Sequence, residues 1–232
     1  MLGKISKDKR KTLYIVISVL ILSLLMSFVD AIIRPTYFVK SMIKIILFAV
    51  IPMIYFALFR DEVGQMKRLF VPRKKDFLRS LAMGVAIYIV IVGGYFLLRG
   101  IIDFSAITGN LTANAGITAD NFIYVATYIS FVNSFLEEFF FRGFAFITLK
   151  NQTNRTFAYV LSAALFSIYH AGMTTGWYHV IVFVLGLIVL FIGGCIFNYL
   201  NEKCDNIYPS WLVHMFANFA LNTVGFVLFG VL

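Results

Sequence analysis

Apolar residues in this chain come in runs long enough to cross a lipid bilayer, and that feature removes most of the folds open to a soluble protein. A helix needs roughly 18 or more mainly apolar residues to span the hydrocarbon core. About seven such stretches can be read: Leu13–Val29, Met42–Phe59, Leu81–Leu98, Phe122–Leu149, Phe157–Ala171, Tyr178–Leu200 and Trp211–Leu232. With no water to bond the backbone inside a membrane, runs of this length are read as helices. Of the 232 residues, 61% are hydrophobic and only 13% charged, whereas a water-facing domain is about a quarter charged. The expected fold is all-α: a polytopic transmembrane bundle of about seven helices enclosing a polar cavity. Without internal repeats or a soluble portion, residues 1–232 read as one integral membrane domain.

The formal net charge of +9 is concentrated in two places. Lys4, Lys7, Lys9, Arg10 and Lys11 precede the first apolar run, and Lys67, Arg68, Arg73, Lys74, Lys75 and Arg79 crowd the loop between the second and third. This is the distribution set by the positive-inside rule, so the N-terminus and the loop Arg60–Arg79 are expected in the cytoplasm. The loop Arg99–Asn121, with Arg99 as its single basic residue, is expected outside. Neither basic segment contains a nucleic-acid recognition motif, and no nucleic-acid partner is expected. Cys195 and Cys204 lack metal-type spacing and suggest no disulfide framework. No small-x-small cleavage site follows Val29, so the first run reads as a retained helix rather than a signal peptide. The Phe-, Ile- and Lys-rich composition suits a low-GC bacterium, so the expected location is a bacterial cell membrane.

Ionisable residues divide the chain. The first three runs hold almost none in their middles, and Lys44, near the start of the second, is expected to reach the interface along its flexible stem. Residues 1–120 therefore read as scaffold. From Asn121 onward Glu137, Glu138, Arg142, His170, His214 and Asn218 interrupt otherwise apolar sequence. Such groups cost several kcal/mol in hydrocarbon unless they face one another or a polar cavity, so residues 121–232 are expected to carry the chemistry.

Helical spacing sorts these residues. Glu138 and Arg142 are four apart with the acid first, the favourable order for an ion pair. Glu137 is five from Arg142 and points elsewhere, which leaves it available for another task. The alternative is that both acids share Arg142 as a buried cluster. Phe166 and His170 share a helical face, as do His214 and Asn218; either pair alone could be interhelical glue. Asn133 and Asn222, one turn from Glu137 and Asn218, either support the site or tie helices together. His179 follows Gly176-Trp177-Tyr178 at a run boundary and reads as interfacial.

Taken in order, Glu-Glu-x-x-x-Arg (Glu137, Glu138, Arg142), Phe-x-x-x-His (Phe166, His170) and His-x-x-x-Asn (His214, Asn218) resemble the CAAX protease and bacteriocin-processing family of intramembrane peptidases. That family, also called Abi, includes the Ras-converting CAAX endopeptidase. The likeness covers Phe131 to Leu221 and includes Gly143 after the arginine; the earlier runs resemble it only in being hydrophobic. The resemblance implies an intramembrane endopeptidase acting on a membrane-associated protein or peptide among membrane lipids. It implies Glu137 as the catalytic glutamate, with Glu138 and Arg142 supporting it. His170 would hold and polarise water beside Phe166, and His214 and Asn218 would complete the site as oxyanion donors. Either no cofactor is needed, with Glu137 activating water directly, or zinc is held by Glu137, His170 and His214.

Two other functions compete, a proton-coupled transporter and a non-catalytic membrane scaffold. The paired Gly/Pro-interrupted segments of an inverted-repeat transporter are missing, and a scaffold has no need for this set of polar residues. One expectation strains the peptidase reading. At about 1.5 Å per residue from the loop ends, Glu137 would lie about 16 Å deep, His170 about 22 Å and His214 only about 5 Å. They meet only if helices tilt, kink or start inside the membrane.

Overall fold

The structure is a computed structural model that describes residues 8–174 and 179–232. Lys4, Lys7 and the Gly176-Trp177-Tyr178 boundary lie outside the described residues. The described residues form helices and connecting turns, with no strand among them. In chain order these are α1 (Lys9–Ile33), α2 (Tyr37–Leu58), the short α3 (Val63–Leu69), α4 (Lys74–Leu98), α5 (Ser105–Ala115), α6 (residues 122–152), α7 (Arg155–Thr174), α8 (Val180–Cys204) and α9 (Tyr208–Leu228). Among the described residues six helices, α1, α2, α4, α7, α8 and α9, are long and apolar enough to cross a membrane. The protein is an integral membrane protein.

The expected count of about seven spans is not reproduced, and the difference lies in α6. This segment is helical throughout, but Glu137, Glu138 and Arg142 interrupt its apolar character. All residues from Leu136 to Leu149 are buried. It therefore acts as a central post, touched by α1, α2, α3, α7, α8 and α9. Phe140, Phe141 and Phe144 pack it against α2 and α7; Phe48 stacks on Phe140 with ring centroids 4.0 Å apart and meets Tyr169 edge-on at 5.4 Å. Helix ends also differ from the apolar runs by several residues, because basic residues such as Lys9–Lys11 and Lys74 continue a helix past its greasy part.

Two stretches of α6, Ile129–Asn133 and Glu138–Thr148, are π-helical. Side chains of neighbouring helices add donors to carbonyls in and beside these stretches. Asn218 Nδ2 donates to the Ile129 carbonyl at 3.1 Å, Asn222 Nδ2 to that of Ala126 at 3.1 Å, and Ser162 Oγ to that of Phe141 at 2.7 Å. Asn222 is therefore helix-to-helix glue here.

Small residues set two close crossings. A Cβ at Gly172 would lie 2.5 Å from the Ser27 carbonyl oxygen, so α1 and α7 touch backbone to backbone there. Ser27 Oγ seals the crossing by donating to the Tyr169 carbonyl at 3.1 Å. At Gly194 a Cβ would meet Ala163 Cα at 3.1 Å, which brings α8 onto α7. Close approach through Gly, Ala and Ser is how membrane helices gain packing without a hydrophobic drive.

The turn between α8 and α9 is buried. Asn206 and Ile207 are 1% and 0% exposed, and Ile207 N–H donates to the Leu69 carbonyl at 3.1 Å. Asp205 takes a left-handed conformation (φ 55°) to make the reversal. Asn201 then brackets Ser210 from both sides, its Nδ2 donating to Ser210 Oγ at 2.6 Å and its Oδ1 accepting from Ser210 N–H at 3.2 Å. Helix α9 thus starts inside the protein, its first free N–H groups satisfied by neighbours rather than by water. At the other end of α1, Lys11 pairs with Asp61 and, at 2.8 Å, with Glu62, and Gln152 adds a bond to Glu62 at 2.8 Å. The hydrogen bond from Lys11 holds the Asp61 carboxyl below its usual range.

Candidate active site

Glu137 closes a single α-helical turn, Ser134–Glu137, between the two widened stretches of α6. It is 2% exposed, and its two carboxylate oxygens have different surroundings. Oε1 accepts from Lys44 Nζ at 2.5 Å, from Asn133 Nδ2 at 2.9 Å and from the Tyr169 hydroxyl at 3.4 Å. Oε2 has no hydrogen-bond partner among the described residues. It lies 3.8 Å from His170 Nε2 on α7 and 3.7 Å from His214 Nε2 on α9.

Both imidazoles are held through their other nitrogen. His170 Nδ1 lies 2.7 Å from the Phe166 carbonyl oxygen, and His214 Nδ1 lies 2.9 Å from Glu138 Oε1. Both partners are acceptors, so each Nδ1 carries a hydrogen and donates, and each ring turns Nε2 toward Glu137. Glu138 does more than pair with Arg142. It is fully buried, with Oε1 facing His214 and, at 3.4 Å, Arg142, while Oε2 accepts from Ser210 Oγ. Arg142 is also fully buried, and its guanidinium lies 4.0 Å from the Phe166 ring centroid and 4.9 Å from that of Phe197. Phe166 in turn meets His170 and His214 with ring centroids 4.5 and 6.0 Å apart.

The structure therefore brings Glu137, His170 and His214 together, with Glu138, Arg142 and Phe166 packed around them. The depth conflict disappears because α9 begins at a buried turn, so distance counted from a water-facing end does not apply to His214. Asn218, one turn beyond His214, commits one amide hydrogen to the Ile129 carbonyl. His179 is apart from the cluster: it is exposed and caps α8, accepting from Ile181 N–H at 3.4 Å.

Lys44 corrects a sequence expectation. Far from reaching an interface, it is 3% exposed and bonded to Glu137 and, at 2.5 Å, to Asn133 Oδ1. Glu137 consequently has a charge partner, and the supposed scaffold half supplies a side chain to the site. Tyr169 and Ser210 are further contributors absent from the sequence reading. Only for Lys44 was there a signal: an acid without a basic residue three or four positions away, in a helix core, demands a cation from another helix.

A cavity of about 80 Å³ is bounded by Asp30, Arg34, Lys40, Asn110, Asn114 and Gly172 among others, and by none of the cluster residues. A larger one of about 390 Å³, between Tyr95, Arg99, Asp103 and Ser105, is bounded by none of the cluster residues.

Zinc would find suitable donor types in Glu137, His170 and His214. Their arrangement does not suit it: among the described residues no group of three or more such side chains is placed to hold a metal ion. The Lys44 ammonium moreover already compensates the charge of Glu137.

Fold and cluster together define a polytopic membrane protein with a carboxylate and two imidazoles meeting in its interior. Residues 119–220 match the family model described as type II CAAX prenyl endopeptidase Rce1-like, and over this segment the chain is similar to that family. It contains every residue of the three motifs, and it excludes Lys44. No curated protein and no solved structure matches the chain.

Proposed function

We propose that this protein is an intramembrane endopeptidase that cleaves a membrane-associated protein or peptide with a water activated by Glu137. The observation that carries this reading is Glu137 Oε2, a buried carboxylate oxygen that has no hydrogen-bond partner among the described residues and faces two oriented imidazoles. A water placed there donates one hydrogen to Glu137 Oε2 and the other to His170 Nε2, leaving an oxygen lone pair directed at the substrate carbonyl. As that oxygen attacks, Glu137 takes its proton as general base and then delivers it to the leaving amine. His214, held through Nδ1 by Glu138, and the second amide hydrogen of Asn218 stabilise the developing oxyanion. Fixed donors in a dry site are the largest usual source of such stabilisation.

Cleavage can be measured with the protein in lipid vesicles and two internally quenched probes, a prenylated Cys-aliphatic-aliphatic-X peptide and the same peptide without the lipid. Hydrolysis of at least one is expected, and it should survive a strong chelator. Loss of activity that zinc restores would replace the water-and-glutamate scheme by a metal-dependent one. Failure to cleave either probe, with proton-coupled uptake into the vesicles instead, would favour a transporter.

The N-terminus and the loop 60–79 are proposed to face the cytoplasm, and 99–121 the outside, on the strength of their basic residues. Cysteines introduced at exposed Val71 and Ile101 should behave oppositely toward an impermeant thiol reagent in intact cells. Labelling is expected at Ile101→Cys alone; labelling at Val71→Cys alone would invert the topology.

A further inference from the structure

The charges buried around the cluster are arranged in two pairs. Arg142 compensates Glu138 on α6 itself, and Lys44 reaches Glu137 from α2. The second pairing is asymmetric. Lys44 Nζ and Asn133 Nδ2 both donate to Oε1, and Lys44 also donates to Asn133 Oδ1, which closes a three-membered ring of contacts on one oxygen. The ammonium is fixed from its other side by Tyr169, 4.8 Å from the ring centroid, and by Phe48 at 5.6 Å. Oε1 is thereby saturated with donors, and Oε2 is left bare in front of His170 and His214.

From this geometry we infer that Lys44 is a positioning residue of the site: it clamps Oε1 of Glu137 and so holds Oε2 in place for the water. This rests on the reading of Glu137 as the general base. Lys44 acts through the carboxylate, bonding Glu137 Oε1 and Asn133 Oδ1. A carboxylate without this clamp can rotate and present either oxygen, and displacements of about 1 Å in a reacting group cost about 10²-fold in rate. Asn133 shares the clamp but cannot replace it, because a neutral amide leaves the carboxylate's charge uncompensated in a buried site.

The test compares the wild-type protein with Lys44→Met and Lys44→Arg, using whichever of the two quenched peptides the wild type cleaves. Folded protein is isolated by size-exclusion chromatography in mild detergent before reconstitution. Lys44→Met should lose about 10²-fold in kcat with KM unchanged. Lys44→Arg keeps the charge but replaces a point donor by a planar fork, and should lie between the two, about tenfold below wild type. Wild-type kcat in folded Lys44→Met protein would overturn the proposal and leave Lys44 a structural counter-charge. Should Lys44→Met yield no folded protein, wild-type kcat in Lys44→Arg overturns it equally.

Two further comparisons locate a failure. Wild-type kcat in Glu137→Gln would remove the base itself, and the role of Lys44 with it. An inactive Glu137→Gln beside a fully active Lys44→Met removes only the clamp. Thermal unfolding gives a measure that needs no substrate. Lys44→Met and Glu137→Gln should each unfold at lower temperature, and the double variant should regain most of the loss. Simple additivity of the two would show that the charges are not coupled and would overturn the clamp.

Discussion

Replacing Glu137 by glutamine is expected to abolish peptide cleavage, with a loss near the top of the roughly 10²–10⁴-fold range that a general base supplies. The amide keeps the size of the side chain, but it cannot take a proton from water and return it to the leaving amine. The same change strikes stability, because Lys44 then lies buried with its charge uncompensated. Removing one partner of a buried pair typically costs about 3–5 kcal/mol. Loss of activity in the single variant would thus be ambiguous by itself. Glu137→Gln combined with Lys44→Met resolves this: both groups are then neutral, the protein should fold nearly as well as wild type, and it should still be inactive. Thermal unfolding in detergent and hydrolysis of the quenched peptide, measured on one preparation, give the two quantities. A well-folded double variant that cleaves at the wild-type rate would dismiss Glu137 as the base.

Glu138→Gln is expected to act chiefly on stability, by about 3–5 kcal/mol, the typical cost of orphaning a buried charge. Arg142 makes no side-chain hydrogen bond among the described residues and lies against the rings of Phe166 and Phe197, so Glu138 is its electrostatic anchor. Removing both charges, as Glu138→Gln with Arg142→Met, should recover much of the loss, since an apolar replacement avoids the desolvation of two ions. Activity should fall less than in Glu137→Gln, because the glutamine carbonyl still accepts from His214 Nδ1. A neutral acceptor holds the His214 ring less firmly than a carboxylate does, so kcat should drop while KM holds. Thermal unfolding and steady-state kinetics of the two variants check both halves. Wild-type stability in Glu138→Gln would show that Arg142 is compensated elsewhere.

Helical class and membrane residence were legible in the residues themselves, because the length and polarity of an apolar run are local properties. So was the pairing of Glu138 with Arg142. The spacing of four between Glu138 and Arg142 is a property of one helix, and it survives in the buried pair. The pairs Phe166–His170 and His214–Asn218 were legible for the same reason, and the family resemblance they carry agrees with the match over residues 119–220. The span count was less secure. A hydropathy reading cannot separate a helix that faces lipid from one sheathed by its neighbours, and the Leu136–Leu149 part of α6 is the second kind.

Local spacing determined which polar residues share a helical face, and with it the candidates for the site. Only the tertiary structure decided which faces meet. That Lys44 turns inward to Glu137, that His214 meets Glu138, and that Asn218 and Asn222 bond carbonyls of α6 all depend on contacts between residues 76 to 96 positions apart in the chain. Periodicity fixes direction around a helix axis, but it carries no information about the depth at which a helix begins or which neighbour it faces. Those are set by close packing at Gly172 and Gly194 and by the requirement that each buried charge find its counterpart.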